Sequence, residues 1–221
     1  MFLGHFAIAM AAKRAAPAAS LGTLVFAAQL ADLAWPVLLL AGTESARIDP
    51  GATVVTPLVF NHYPWSHSLA TLVLAGIVLG ACHFLWRRRL REALVLALLV
   101  PSHWVLDWVV HVPDLPLTPA SGSVLMGMGL WNSLPATLAI ELLAMTVAAA
   151  VYLRGTRAAD RIGTWATAAL LAFLVLVYAG NVFGPPPPSI RAVAWAGLSQ
   201  WLLVAWAAWA DRHRLVRGSL P

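Results

Sequence analysis

Ser102-His103-Trp104-Val105-Leu106-Asp107-Trp108-Val109-Val110-His111 is apolar enough to lie inside a membrane, yet it carries three ionisable side chains at a spacing of four. On an α-helix four residues advance a side chain by only about 40° beyond a full turn, so His103, Asp107 and His111 share one face. Turned to lipid, that face would be costly, so it is expected to look into a protein interior or a wet cavity. Imidazole and carboxylate converging away from bulk water is what a divalent metal needs. The alternative is a stripe that only hydrogen-bonds neighbouring helices.

The rest of the chain fits a membrane setting. Of 221 residues, 61% are hydrophobic and 10% charged, and the mean hydropathy is +0.79. Soluble domains carry about a quarter charged residues. The composition predicts an all-α polytopic membrane bundle, residues 1–221 forming a single integral-membrane domain. The formal charge of +5 does not imply nucleic acid, because the basic residues sit in short runs between apolar segments. The one cysteine, Cys82, excludes an internal disulfide.

Residues 2–12 are apolar but too short to span, since a span needs about 20 residues. They predict a short N-terminal re-entrant or interfacial helix, without a signal-peptide cleavage site. Six spans follow, near 18–41, 67–86, 93–112, 130–153, 163–183 and 190–210. Ser20 is expected to cap the first, and Pro36 to kink it. Ser66 is placed to cap the second, where Gly76 and Gly80 form a GxxxG that signals close helix packing. Pro101 predicts a kink just before His103. The basic clusters at 13–14, 87–91, 154–161 and 212–217 are each two spans apart. All therefore fall on one side, and the Lys/Arg rule makes that side, with the C-terminus, cytoplasmic.

Orientation gives depth. At 1.5 Å per residue Asp32 lies roughly 22 Å from the cytoplasmic end of its span, His103 lies near the midplane and Asp107 in the outer half. Glu141 falls near the midplane of the fourth span, and His67 at the outer start of the second. His5 lies about a dozen ångströms from the Lys13 end of its segment. Scattered structural polar groups need not agree in depth, and this agreement favours a common site.

Gly4-His5, His62-Tyr63-Pro64-Trp65-Ser66-His67-Ser68-Leu69, and Ser102-His103-Trp104-Val105-Leu106-Asp107 followed by Leu115-Pro116-Leu117 carry a resemblance. Together they resemble the bacterial inner-membrane family of predicted metal-dependent hydrolases (domain of unknown function 457). Its pattern is an N-terminal Gly-His, a Pro-Asp-x-Asp-His-Pro element, a His-Arg-Gly-x-Thr-His-Ser-Leu element and a Ser-His-x-x-x-Asp helix. The likeness covers residues 1–120; residues 121–221 carry no alignable motif. The second element departs, because Ala31-Asp32-Leu33-Ala34-Trp35-Pro36 keeps one aspartate, with Ala34 and Trp35 at the other polar positions. Tyr63 replaces the arginine of the third.

The resemblance implies a bacterial inner-membrane location and a divalent metal, most simply zinc, held by His5, Asp32, His67, His103 and Asp107. Glu141 and His62 are the catalytic candidates, as general base and as a group facing substrate. His111 matches no motif and is set apart from the His103–Asp107 pair. A site in the outer half of the bilayer suits hydrolysis of a lipid or lipid-linked (phospho)ester. Two other readings use the same residues. One is a metal-ion or proton-coupled transporter with a polar relay, and the other is an assembly protein with a structural metal.

Overall fold

The computed structural model describes residues 1–217. The chain is mostly helical. Helix α1 (Leu3–Ala12) is short and buried along most of its length. Its basic end is pinned by Lys13, whose Nζ donates to Ala19 O at 2.7 Å and to Asp211 Oδ2 at 2.6 Å.

The first apolar stretch divides into α2 (Leu21–Ala28) and α3 (Leu30–Leu40), bent by 56°. Ser20 caps α2 as expected, accepting from Thr23 N at 3.0 Å. The expected kink at Pro36 lies elsewhere: α3 runs through Pro36, and the break falls at Gln29, whose backbone leaves helical geometry (φ −101°, ψ 7°). Pro36 leaves the Asp32 carbonyl without its helical donor.

A ribbon of β1 (Ser45–Ile48) and β2 (Leu58–His62) follows, antiparallel, with a register shift between Ser45 and Ala46. A single turn, α4 (Pro64–His67), leads into α5 (Leu69–Arg87). Pro64 starts α4 and Ser68, not Ser66, caps α5, accepting from Thr71 N at 3.3 Å. The Ser66 hydroxyl is otherwise engaged, as described below.

Helix α6 (Leu90–Val110) returns antiparallel to α5 and is continuous through Pro101. The two lie unusually close. A Cβ on Gly76 would sit 2.4 Å from Ala97 O and 3.1 Å from Pro101 Cδ, and one on Gly80 would sit 2.7 Å from Ala93 O. Pro101 has no N–H for the Ala97 carbonyl, so that oxygen faces the bare backbone of Gly76. Beyond α6, a ribbon of β3 (Leu115–Pro116) and β4 (Leu125–Met126) folds back on the helix end. Trp104 Nε1 donates to Pro116 O at 3.1 Å, and Gly129 N to His111 O at 2.6 Å.

The remaining long helices are α7 (Leu134–Gly155) and α8 (Arg161–Phe183), separated by β5 (Thr156–Ala158). Then come α9 (Ile190–Leu198), α10 (Gln200–Arg212) and β6 (Arg214–Val216), which pairs with β5. Asp211 gathers this end, accepting from Leu21 N at 2.9 Å and Tyr152 OH at 2.8 Å besides Lys13. Helices α5, α6, α7, α8 and the α9–α10 pair are each long and apolar enough to cross a membrane, and the bent α2–α3 pair makes up to six spans. The helical bundle stands, with three two-stranded antiparallel pairs among the described residues that composition did not reveal: two are hairpins between helices, and β5–β6 joins strands far apart in the chain.

Candidate metal centre

Helix α1 enters the bundle with its N-terminus innermost. Its first N–H groups have no helical partner; Glu141 on α7 receives them, with Leu3 N at 2.6 Å and Gly4 N at 3.4 Å from Oε2. The Met1 amino group donates to Asp107 Oδ1. This seats His5 beside α6, where its ring stacks flat on His103 at 3.6 Å between centroids.

Asp107 is the hub. Its Oδ1 lies 3.0 Å from His5 Nε2, and its Oδ2 lies 3.1 Å from His103 Nε2, 3.9 Å from His67 Nε2 and 4.0 Å from His111 Nε2. Asp32 closes the other side, with Oδ1 3.5 Å from His67 Nε2 and 3.7 Å from His103 Nε2. Two overlapping groups, His5–His103–Asp107 and Asp32–His67–His103, each offer ligand atoms within 4.8 Å of one another. Ligand atoms on one tetrahedral zinc are about 3.3 Å apart, so these separations suit a cation between them. This His/Asp group could hold a metal ion.

Three of the four imidazoles are aimed by bonds on their far sides; His5 Nδ1 has no such partner among the described residues. His103 Nδ1–H donates to Ala28 O at 2.8 Å, a carbonyl at the α2–α3 break. Nε2 is then the nitrogen turned inward, and that buried atom has no hydrogen-bond partner among the described residues. At 3.1 Å from Asp107 Oδ2 it satisfies the distance of an ion pair but not the geometry of a hydrogen bond. Ser66 Oγ donates to Glu44 Oε2 at 2.6 Å, which leaves it to accept from His67 Nδ1–H at 2.7 Å. Glu44 is held in turn by Trp65 N and Ser66 N at 2.8 and 2.9 Å. His111 Nδ1–H donates to Asp114 Oδ1 at 2.9 Å, which also accepts from Tyr63 OH at 2.8 Å. Burial holds the His111 imidazole below its ordinary pKa, and burial with Asp114 alongside raises the Tyr63 phenol well above its own. Fixing one ring nitrogen to orient the other is the usual outer support of metal-binding histidines.

The five ligand candidates His5, Asp32, His67, His103 and Asp107 are thus brought together from α1, α3, α4 and α6. His111, set apart on motif grounds, joins them, because the end of α6 turns its ring over Asp107 and under Trp131 at 4.1 Å. The two catalytic candidates fare differently. Glu141 is buried beside α1 with Oε2 engaged. His62 is exposed at the end of β2: the register shift there re-aims the strand, and Tyr63 turns inward instead. Glu44 and Asp114 carried no motif signal, and Ser66, inside the His62–Leu69 stretch, was read only as a helix cap. Comparison with family models, curated proteins and solved structures found no match to this chain.

Proposed function

We propose that the protein is a membrane-embedded, metal-dependent hydrolase, with zinc as the metal and a lipid or lipid-linked (phospho)ester from the hairpin-side leaflet as substrate. The observation that carries the reading is the convergence of acceptor atoms: the Nε2 atoms of His67 and His103 face Asp32 and Asp107 while their Nδ1–H groups are tied outward. Carboxylates and inward ring nitrogens in a dry interior need cationic charge; the Met1 amino group supplies it at Asp107 Oδ1, and a metal would supply it between Asp107 Oδ2, Asp32 and the two rings. When bound, zinc lowers the pKa of a bound water toward about 7 and polarises a phosphoryl or acyl oxygen.

The chain's residues divide the remaining work. Asp107, 2% exposed, anchors the inner side. The Asp32 side chain, 25% exposed, is the ligand that substrate meets. Phe60, Tyr63 and Trp131 gather around His111 and exclude water at the hairpin end. Glu141 is the proton carrier: its Oε2 is held by Leu3 and Gly4 N–H, and it borders the same cavity as Asp32. The motif resemblance supports the same class of protein.

A second reading has its own observation. A half-helix ending at the site and a span broken beside it are features of transporters. Elemental analysis of purified wild type beside His103→Ala and Asp32→Ala tests the metal; stoichiometric zinc in wild type and its loss in both variants is expected. Equally little metal in all three overturns the proposal. Lipid-ester hydrolysis by the loaded protein, against ion flux in vesicles, then separates enzyme from transporter.

A further inference from the structure

A cavity of about 920 Å³ adjoins the cluster, and Asp32 and Glu141 form part of its wall. At that end it also meets Trp35 and Tyr178, both more than nine-tenths buried. Neither the Trp35 Nε1–H nor the Tyr178 hydroxyl has a hydrogen-bond partner among the described residues. A buried donor left unpaired is destabilising. An indole N–H only donates, and the phenol near the Glu141 carboxylate is also free to donate. Both atoms are closed to water here, so an occupant whose oxygens accept from them must first displace the side chains that cover them.

Away from this end the wall is mostly apolar, with Phe173, Val177, Val193, Leu203 and Trp206, and it also carries the polar side chains of Asn181, Ser199 and Gln200. The space equals that of about thirty waters at liquid density, which such a lining would hold poorly. Its place in the bundle explains why it is open. Helix α8 packs on α10 through its basic half, where Trp206 Nε1 donates to Ala166 O and the ring meets Phe173. Helix α7 makes its principal contact with α1 rather than α8, and α9 packs on α3. The part of α8 from Phe173 to Gly184 is left facing a seam that ends at Pro185–Pro188.

We infer that this seam binds a long-chain lipid. Its hydrocarbon chain lies along α8 and α9, and its phosphate or ester oxygens accept from Tyr178 and Trp35, which brings the ester bond to Asp32. The inference rests on the proposed hydrolase reading for its chemistry, but the binding itself needs no metal.

Binding of spin-labelled phosphatidylglycerol with 16-carbon chains to the full-length purified protein tests it, in metal-loaded and chelator-treated samples. A Cβ at Gly180 meets open space, with no atom within 4 Å, so Gly180→Phe can enter the cavity wall with no clash at its first atom; Val193→Trp fills it from α9. Both are expected to weaken retention at least 10-fold while zinc content and thermal unfolding stay at wild-type values. Tyr178→Phe, which keeps the volume and removes the donor, is expected to weaken it 3- to 10-fold, and a six-carbon-chain analogue should bind wild type far more weakly. Wild-type retention in both filling variants, or equal affinity for the two chain lengths, overturns the inference. Chain-dependent binding that Gly180→Phe abolishes in a protein without metal would sustain the cavity and overturn the hydrolase reading. Normal zinc with binding indifferent to the fillers would do the reverse.

Discussion

The direction of a single ring decides the chemistry here. His67 can turn an Nε2 lone pair toward a metal beside Asp32 because its Nδ1–H is held by Ser66, and Ser66 can hold it because its own proton is committed to Glu44. Outer partners of this kind typically contribute 10–100-fold in metal affinity. Ser66→Ala is therefore expected to weaken zinc binding by about that factor in a chelator-competition titration, with little change in the unfolding temperature. Asp114→Asn should do less, since an amide oxygen still accepts from His111. Unchanged affinity in Ser66→Ala would mean that the Ser66 bond does not set the His67 tautomer. The shared face of His103, Asp107 and His111 was legible in the sequence, because a four-residue spacing fixes a face whatever surrounds it, whereas His5, Asp32 and His67 were joined to it by depth and by the resemblance. Their supports were not: Glu44 reaches Ser66 only after the β1–β2 ribbon closes, so no spacing along the chain encodes the contact.

At the level of elements, α5 and α6 are matched backbone to backbone. Gly76→Val would place a Cβ 2.4 Å from Ala97 O and force the helices apart. Overpacking of this kind costs about 1–3 kcal/mol, and the backbone neighbour puts this case at the upper end. The turn between the helices offers the opposite change. Arg88 sits in left-handed geometry (φ 56°), which costs an L-residue roughly 1–2 kcal/mol, so Arg88→Gly is expected to raise the unfolding temperature where Gly76→Val lowers it. Thermal unfolding in detergent measures both; stabilisation by Gly76→Val would contradict the close packing. The GxxxG was visible as a packing signal, and the α5–α6 pair fulfils it. The break at Gln29 was not, since no glycine or proline marks it and Pro36 is the louder signal. The α3 helix tolerates that proline because Gly197 of α9, whose Cβ would lie 2.5 Å from Pro36 Cγ, leaves room for the ring. The strands were illegible for a different reason: each is two to five residues long and is defined only by its partner.

Across the whole molecule, charge and site divide the bundle into two ends. Lys13, the Arg87–Arg91 turn, Arg157 and Arg212 lie at the end where Asp211 ties α1, α2, α7 and α10 together. The β1–β2 and β3–β4 ribbons, the proline corner and the aromatic cover of the cluster lie at the other. Under the proposed hydrolase reading, a site near that second end takes lipid and water from its side alone, so the proposed function depends on which compartment those two ribbons face. The Lys/Arg rule assigns the basic end to the cytoplasm, and counting α2–α3 as one span keeps every basic cluster together. Cys82 is the only cysteine, so a Cys82→Ser background gives a clean test. Gly51→Cys, at the exposed tip of the first ribbon, should react with a membrane-impermeant maleimide in intact cells with a permeable outer envelope. Arg157→Cys, exposed in β5, should react only after the membrane is opened. Labelling of both from outside would show that α2–α3 does not cross as one span. Labelling of Arg157→Cys alone would invert the protein and move its substrate to the inner leaflet.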